Sequence, residues 1–275
     1  MGLLKDKIGI IMGVANNRSI AAAIAESAFE QGAQLGFSHL PDDKGKMEAR
    51  VRKVVDSMNP RLVAPCDCNQ DPDIDSFFTK VSSSYEQIDF LVHSIAFAPL
   101  EDIRCKTIEA SRSGFLTALE TSVYSFIAAA RAASELMPNG GSMLTLSYFG
   151  GEKVVAGYNL MGVAKAALES AVKYLAYDLG PKGIRVNAIS AGPIKTLAAS
   201  AVGDFGDMLG MNAAIAPSGK NVSAKEVGNA ATFLLSDLAT GITGELVHVD
   251  GGYNIMGSPG RALEKWNVKP RDTLS

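Results

Sequence analysis

The chain has 275 residues, of which 47% are hydrophobic and 20% are charged, and its formal net charge is −3. This length and composition fit one large α/β domain, or two small ones, with a sizeable core, and they argue against a disordered chain. The slightly acidic balance argues against a protein that binds nucleic acid through charge, and no apolar run is long enough to predict a membrane span.

Three cysteines, an odd number, argue against a disulfide framework and favour a reducing compartment, so we expect a cytoplasmic protein. The N-terminal segment Met1–Lys7 has no long apolar stretch, and we expect no signal peptide. Cys66 and Cys68 are interpreted as residues at a strand end rather than as metal ligands, and we expect no metal.

Short apolar segments alternate with segments of helical periodicity. The predicted strands are Ile8–Met12, Gln34–Ser38, Arg61–Pro65, Asp89–His93, Ser142–Ser147, Ile184–Ser190 and Glu245–Val249. The predicted helices are Ser19–Gln31, Lys44–Met58, Asp71–Tyr85, Thr107–Met137, Tyr158–Leu179 and Ala224–Ser236. The strands are almost wholly apolar, as in strands buried on both faces. Repeated βα units predict a single doubly wound (Rossmann-type) parallel sheet of about seven strands with helices on both faces.

Two regions interrupt the alternation. Residues 194–220 follow a strand but are rich in Ala, Gly and Met, and we expect a mobile substrate lid over the carboxyl ends of the strands. Residues 257–275 are polar and contain the only tryptophan, Trp266, and we expect a surface extension. The predicted organisation is therefore one domain over residues 1–256, which includes the lid, and an extension over 257–275.

The ends of the first and third predicted strands carry residues suited to a dinucleotide. Gly13–Ile20 lies between strand and helix, where a dinucleotide fingerprint belongs, although it is not G-x-G-x-x-G. Gly13 can form the tight turn, and Ser19 can cap the helix and bind phosphate. Asp67 follows the third strand; its carboxylate can accept a hydrogen bond from an adenine amino group or cap a turn.

The fourth and sixth predicted strands add further candidates. Small residues in the segment His93–Pro99 leave space for a ribose, whereas His93 itself lies in an apolar strand and is interpreted as a packed core histidine. After the sixth strand, Gly192-Pro193 turns the chain and positions Ile194 and Thr196 to meet a nicotinamide amide.

Tyr158 precedes Lys165 by seven positions at the start of a long predicted helix. Seven residues span almost two helical turns, so both side chains lie on one face. There the phenol can donate to a developing oxyanion, and the ammonium can bind a sugar hydroxyl and favour the phenolate. An amphipathic helix with a packed tyrosine and a solvated lysine gives the same spacing, but the neighbouring motifs favour a site.

From Gly2 to about Ile255 the chain resembles the short-chain dehydrogenase/reductase superfamily and, within it, the bacterial enoyl-acyl-carrier-protein reductases. The stretches that carry the resemblance are Gly13–Ile20, His93–Pro99, Leu144–Gly150, Tyr158–Lys165, Val186–Ala199 and Gly244–Tyr253. Ordinary superfamily members place a tyrosine four residues before the lysine, where this chain has Met161. The longer tyrosine–lysine spacing, with Tyr148 ten residues before Tyr158, marks the enoyl reductase branch.

The resemblance implies hydride transfer from NADH, with NADPH not excluded, to the β-carbon of an enoyl thioester carried on acyl carrier protein. Tyr158 would donate to the thioester oxygen, Lys165 would bind the nicotinamide ribose, and Tyr148 would border the same space in a role left open. The implied cofactor contacts are Gly13, Ser19, Ile20, Leu40, Asp67, Cys68, Ile95, Lys165, Ile194 and Thr196. The implied substrate contacts are Ala98, Tyr148, Tyr158 and Met161. The family also implies a homotetramer.

Three departures from the family pattern concern selectivity and docking. The segment after the second strand, Ser38–Asp43, has neither an acid at the strand end nor an arginine. Asp42 and Asp43 would repel a 2′-phosphate and so favour NADH over NADPH, while Lys44 and Lys46 partly offset them. The lid segment Val202–Asp207 lacks the basic residues common in relatives, and Gly219-Lys220 replaces two arginines. The last two departures put docking of an acidic carrier protein in doubt, but not the hydride chemistry.

Two other functions remain possible at this stage. A ketone or alcohol dehydrogenase of the same superfamily would need a tyrosine in place of Met161 and a suitably placed upstream serine. A catalytically silent dinucleotide-binding sensor could lose Tyr158 or Lys165 without harm, yet this chain keeps both.

Overall fold

The computed structural model describes residues 2–196, 205–260 and 262–265. Seven strands form one parallel sheet in the order β3-β2-β1-β4-β5-β6-β7. The strands are β1 (Ile8–Met12), β2 (Gln34–His39), β3 (Leu62–Pro65), β4 (Phe90–His93), β5 (Gly141–Ser147), β6 (Ile184–Ala191) and β7 (Leu246–Val249). The predicted doubly wound parallel sheet is confirmed, with each strand end within two residues of its predicted position.

The helices of the described residues are α1 (Ile20–Glu30), α2 (Lys46–Val55), α3 (Asp71–Tyr85), α4 (Leu100–Arg104), α5 (Arg112–Leu119), α6 (Ser125–Ser134), α7 (Asn159–Leu179), α8 (Phe205–Ile215), α9 (Ala224–Leu235) and α10 (Ala262–Lys265). A π-helical turn, Glu120–Tyr124, joins α5 to α6. Within these ranges, no helix combines the length and the apolar character needed to cross a membrane.

The core consists of two apolar layers, one on each face of the sheet. Side chains of α3, α6 and α7, such as Phe77, Phe126 and Leu168, pack in one layer. Side chains of α1, α2 and α9, such as Ile24, Val51 and Leu234, pack in the other. Apolar side chains from both faces of the strands enter these layers, as in parallel sheets covered by helices on both sides.

The predicted helix Thr107–Met137 is wrong as one continuous element. Thr107–Glu109 is a separate 3₁₀ turn, and α5 begins only after Ser111, whose hydroxyl accepts a hydrogen bond from the Gly114 amide and caps the helix. The helix then widens into the π turn before α6. Polar side chains there are held by distant residues: Thr121 donates to Asn69, and Ser122 bonds the backbone of Phe97.

The two regions predicted to lie outside the βα pattern are partly described. Residues 205–215 of the predicted lid form helix α8, although the sequence there lacks a strong apolar periodicity. Positions 197–204 of the predicted lid lie outside the described residues. The same holds in the predicted extension for Arg261 and for residues 266–275, which include Trp266. The division at residue 256 and the mobility of the lid stay predictions.

Candidate active site

The carboxyl ends of the strands form one edge of the sheet, and β1 and β4 are neighbours at the point where the strand order reverses. Ligands of doubly wound folds bind in the crevice above this point. Gly13 follows β1 with a φ of 101°, and a Cβ there would approach the Ser94 carbonyl oxygen to 2.1 Å. Only glycine fits this position, so the loops after β1 and β4 meet here backbone to backbone.

Ser19 was expected to cap helix α1 and to bind phosphate. The structure gives its hydroxyl no capping hydrogen bond to α1. The hydroxyl instead donates to the Asn16 carbonyl and accepts from the amides of Ala15 and Asn16, which shapes the loop before the helix. The capping role is therefore wrong, because the loop amides compete for the same oxygen. Phosphate binding by Ser19 and cofactor contact by Ile20, the first residue of α1, stay predictions.

The residues predicted to hold the adenosine end lie along the same edge, after β2 and β3. Leu40 follows β2 and is 56% exposed, whereas Cys68 is buried. Asp67 accepts a hydrogen bond from the Asn69 amide at 3.0 Å, so its carboxylate closes a turn. The two roles left open for Asp67 are compatible, since one carboxylate can cap the turn and still accept from a ligand.

Helix α7 delivers the tyrosine and the lysine to the crevice. Tyr158 is its N-cap residue, and the next residue, Asn159, has a φ of 40°, in the left-handed region that asparagine tolerates. The side-chain amide nitrogen of Asn159, Nδ2, donates to the carbonyls of Ile103 and Cys105 at 2.8 and 2.7 Å. These bonds fasten the start of α7 to the loop after α4 and so fix where Tyr158 lies.

Tyr148 and Tyr158 form a ring pair beside the crevice. Their centroids are 4.8 Å apart and their planes meet at 67°, an edge-to-face arrangement. The Tyr148 hydroxyl donates to the thioether sulfur of Met208 on α8 at 3.7 Å. Burial raises the pKa of Tyr148 to about 12 and also raises that of Tyr158. Both phenols are therefore protonated at neutral pH and available as donors.

Lys165 lies two turns further along α7 and is 6% exposed. Its ammonium donates to the Leu146 carbonyl oxygen, in β5, at 2.7 Å. Burial lowers the pKa of Lys165 to about 8, so the residue is charged at neutral pH but close to losing its proton. The solvated lysine of a simple amphipathic helix is thereby excluded.

A small apolar cluster forms the wall beside Tyr158. It contains the buried side chains of Ala98, Ala118, Leu160, Met161 and Ala164, against which Tyr158 packs. The structure thus brings together all the predicted substrate contacts: Ala98, Tyr148, Tyr158 and Met161. Met161 occupies the position of the superfamily's usual tyrosine and offers only a thioether.

The remaining cofactor candidates flank this site. Ile95 follows β4 and packs against the core layer of α3, α6 and α7. Ile194, after β6, packs against the opposite layer, and the Thr196 amide donates to its carbonyl at 2.7 Å. The cofactor candidates are therefore spread along the carboxyl edge from β3 to β6, as an extended dinucleotide would require, and their contacts with a cofactor stay predictions.

His93 is confirmed as a packed core residue. It is fully buried, its Nε2 lies 2.9 Å from the Ser125 hydroxyl, and burial lowers its pKa to about 3. A neutral imidazole of this kind can neither compete with Lys165 for a proton nor add positive charge to the site.

Sequence reasoning missed a second polar pair behind the lysine. The Ser147 hydroxyl, at the end of β5, donates to Glu169 Oε1 on α7 at 2.5 Å. Glu169 follows Lys165 by one helical turn, and that spacing was the signal that could have revealed it. On the outer side, His248 of β7 pairs with Glu152.

These features define the class of protein: a doubly wound dinucleotide-binding domain with two protonated phenols and a buried ammonium at its switch-point crevice. The family model described as enoyl-(acyl carrier protein) reductase matches residues 13–254. A curated relative, an NADH-dependent enoyl-[acyl-carrier-protein] reductase of Synechocystis, is 48% identical over 92% of this chain and 98% of its own length.

Solved structures agree with the sequence relatives. The NADH-dependent enoyl-[acyl-carrier-protein] reductase of Aquifex aeolicus superposes with a TM-score of 0.90 at 48% identity and covers 94% of this chain and 100% of that one. The reductase of Anaplasma phagocytophilum, solved in complex with NAD, has a TM-score of 0.89 at 45% identity and covers 94% and 97%. This chain belongs to the enoyl-(acyl-carrier-protein) reductase family.

Proposed function

We propose that this protein reduces the trans-2 double bond of enoyl-acyl-carrier-protein thioesters with NADH, the last reductive step of fatty-acid elongation. The observation that carries the proposal is the ring pair of Tyr148 and Tyr158, with the buried ammonium of Lys165 two turns along the helix that Tyr158 begins. Met161 belongs to the apolar cluster against which Tyr158 packs. The curated relatives, which are reductases of this kind, support it.

The residues at the crevice fit a nicotinamide dinucleotide. Gly13 and Ser94 bring two backbone segments together at the switch point, and Lys165 presents a buried ammonium where ribose hydroxyls would lie. When bound, the cofactor supplies the hydride. Lys165 holds the ribose and so fixes the ring against the substrate, an effect of positioning rather than of proton transfer.

The tyrosines act on the substrate. As hydride reaches the β-carbon, negative charge moves to the thioester oxygen, and the Tyr158 phenol donates a hydrogen bond to that oxygen. A donor fixed in advance contributes about 2.7–4 kcal/mol to such a step. The apolar wall of Ala98 and Met161 keeps water from the forming enolate, and Tyr148 orients the thioester from the side of α8.

NADH rather than NADPH is the proposed cofactor. The Asp42 carboxylate, just past β2, accepts hydrogen bonds from the amides of Lys46 and Met47 at 2.8 and 3.0 Å. The bond from Met47 lowers its pKa, so Asp42 is a fixed negative charge close to the strand end. Such a charge repels a ribose 2′-phosphate.

The finer features of the proposal rest on the family. We propose an acyl carrier protein as the partner, a homotetramer as the assembly, and the cytoplasm as the location, which suits the three unpaired cysteines. Residues 194–220 would serve as the substrate lid of a reductase domain 1–256. With Lys195 as their only basic residue and Asp204 and Asp207 as acids, positions 195–215 would shape the acyl pocket and contribute little to docking.

The experiment is an assay of NADH oxidation with crotonyl-CoA, with a β-ketoacyl thioester, and with neither. We expect oxidation with crotonyl-CoA alone. Oxidation only with the β-ketoacyl thioester would favour the ketone reductase, and NADH binding without turnover on either substrate would favour the silent sensor.

A further inference from the structure

We propose that Glu169 is a positioning residue for Lys165, a carboxylate counterion that keeps the lysine protonated and directed towards the cofactor ribose. This inference rests on the proposed function, because it assigns a task to the lysine that holds the cofactor.

The first observation is the shared anchorage of the two side chains. Lys165 and Glu169 are one turn apart on α7, and residues with this spacing lie on one helix face. Lys165 donates to the Leu146 carbonyl, and Glu169 accepts from the Ser147 hydroxyl. Consecutive residues at the end of β5 therefore anchor the two side chains, and the charge of Glu169 acts on the Lys165 ammonium without a direct ion pair.

The second observation is that backbone covers one side of the half-buried Glu169 carboxylate. A Cβ at Gly151 would lie 2.4 Å from Glu169 Oε1 and 3.1 Å from the Ala166 amide nitrogen. The chain therefore passes over the carboxylate at a residue without a side chain, and the carboxylate cannot turn away on that side. A rotamer fixed by packing and by a hydrogen bond is what a positioning residue needs.

The third observation concerns the groups that face the pair from neighbouring elements. Glu152, which follows the 3₁₀ turn Phe149–Gly151, and His248 of β7 pair with each other on the outer side of Glu169. The phenol of Tyr158 faces it from the start of α7. From β4, His93 faces Lys165 but is neutral. Among these groups, Glu169 is the carboxylate whose charge acts on the Lys165 ammonium.

The electrostatics have the sign that the proposal requires. Burial lowers the pKa of Lys165 to about 8, and the charge of Glu169 opposes that fall. Burial raises the pKa of Glu169, while the Ser147 hydrogen bond and the charge of Lys165 act against the rise. Without the carboxylate, the lysine would lose its proton at a lower pH, and the site would lose its ammonium within the range where it works.

The test measures NADH binding by calorimetric titration between about pH 6 and about pH 9. The Glu169→Gln substitution keeps an oxygen for Ser147 and removes the charge. Each unit of pKa changes the ratio of charged to neutral lysine tenfold. If the substitution lowers the lysine pKa by one unit, NADH binding becomes about tenfold weaker at the alkaline end and stays unchanged at the acid end. Glu169→Asp keeps the charge one methylene further back and should fall between the wild-type protein and the Gln variant.

Glu152→Gln is the matched control. It makes the same chemical change to the neighbouring carboxylate, which faces His248, and should not weaken binding at alkaline pH. Thermal unfolding of each variant checks that it folds. If the Gln variant does not fold, the Asp variant carries the same test, with a smaller loss confined to alkaline pH.

A loss of affinity that is equal at every pH would overturn the proposal, because it would mean that Glu169 only supports the structure. An Asp variant that matches the Gln variant across the range would also overturn it. Failure of the proposed function has a different signature, since the wild-type protein would then not oxidise NADH with crotonyl-CoA, whatever the pH profile of NADH binding in the variants.

Discussion

Tyr158 and Tyr148 touch through their rings, yet they have different neighbours. Tyr158 packs against the apolar wall of Met161 and Ala98, whereas the Tyr148 hydroxyl points to Met208 on α8. The phenol beside the wall lies in the drier surroundings, where a hydrogen bond to a developing charge is strongest. We therefore assign the donor role to Tyr158 and an orienting role to Tyr148.

Replacing each tyrosine by phenylalanine separates these roles. Tyr158→Phe should lower kcat about a hundredfold or more and leave KM and NADH affinity little changed, since the phenol acts mainly when charge develops. Tyr148→Phe should be milder and should act chiefly on KM. Steady-state kinetics with crotonyl-CoA measure both variants. An inactive Tyr148→Phe beside an active Tyr158→Phe would reverse the assignment.

The lowered pKa of Lys165 predicts how the rate of the reaction depends on pH. Burial lowers this pKa to about 8, so the ammonium is present below that pH and is lost above it. The value of kcat/KM for NADH, which reports on the free enzyme, should be flat around neutrality and fall about tenfold per pH unit on the alkaline side. The Lys165→Met variant should have low activity and weak NADH binding without this alkaline limb. Wild-type cofactor affinity in the Met variant would contradict the role of the lysine.

The sequence predicted those site residues that lie close to one another along the chain. Tyr148, Tyr158, Met161 and Lys165 form a motif at short range, and the structure brings them together. Ser147 and Asn159 act through partners 22 and more than 50 positions away, and their residue types suggest nothing beyond caps and turns. Their functions become visible only when β5, α4 and α7 are packed.

At the scale of elements, α7 has to lie close to the turn after β5, because its first turns carry the site. A Cβ at Gly162, inside α7, would lie 2.7 Å from the Gly150 carbonyl oxygen. Backbone cannot yield as a flexible side chain does, so this approach sets the distance between the helix and the segment that bears Tyr148.

Gly162→Ala should therefore destabilise the protein by about 1–3 kcal/mol, the usual cost of overpacking, despite alanine's better helix propensity. Activity should fall as well, because Tyr158 moves with the helix. Gly210→Ala is the matched control, since a Cβ on α8 at that position meets nothing within 4 Å. It should be neutral or stabilising by up to about 1 kcal/mol. Denaturant unfolding of the two variants compares them, and equal stabilities would contradict the close packing.

The elements that the sequence predicted well are those whose pattern reflects burial. Each strand of the sheet is a short apolar run, and α3 begins and ends where its periodicity does. The prediction of one helix over Thr107–Met137 was wrong because Thr121, Ser122 and Ser125 are buried through their hydrogen bonds rather than through apolar contact. Thr121 and Ser122 bond residues of other elements, and Ser125 donates to the Thr121 carbonyl. Periodicity cannot distinguish such residues from a solvent-facing stripe, so the π turn was not predicted.

At the scale of the whole molecule, the surface suggests how copies assemble. Exposed apolar side chains lie on α5, the π turn and α7: Phe115, Leu116, Tyr124, Tyr174 and Tyr177. Strand β7 is an edge of the sheet and is only half-buried. Both features are typical of surfaces that pair across two-fold axes.

Light scattering should therefore give a mass about four times the 28.9 kDa of one chain. Tyr177→Asp should shift the assembly to smaller species, because a charge would be buried without a partner. Phe29→Asp makes a similar change on α1, away from these helices, and should leave the mass unchanged. A wild-type monomer at micromolar concentration would refute the tetramer.

The central claim, that hydride passes to the β-carbon of an enoyl thioester held under Tyr158, is tested most directly by following the hydrogen itself. The wild-type protein is supplied with NADH deuterated at the transferring nicotinamide carbon and with crotonyl-CoA, and the butyryl product is analysed by mass spectrometry and NMR. We expect one deuterium, at the β-carbon, with a solvent proton at the α-carbon. Deuterium at the α-carbon, or a product without deuterium, would contradict it.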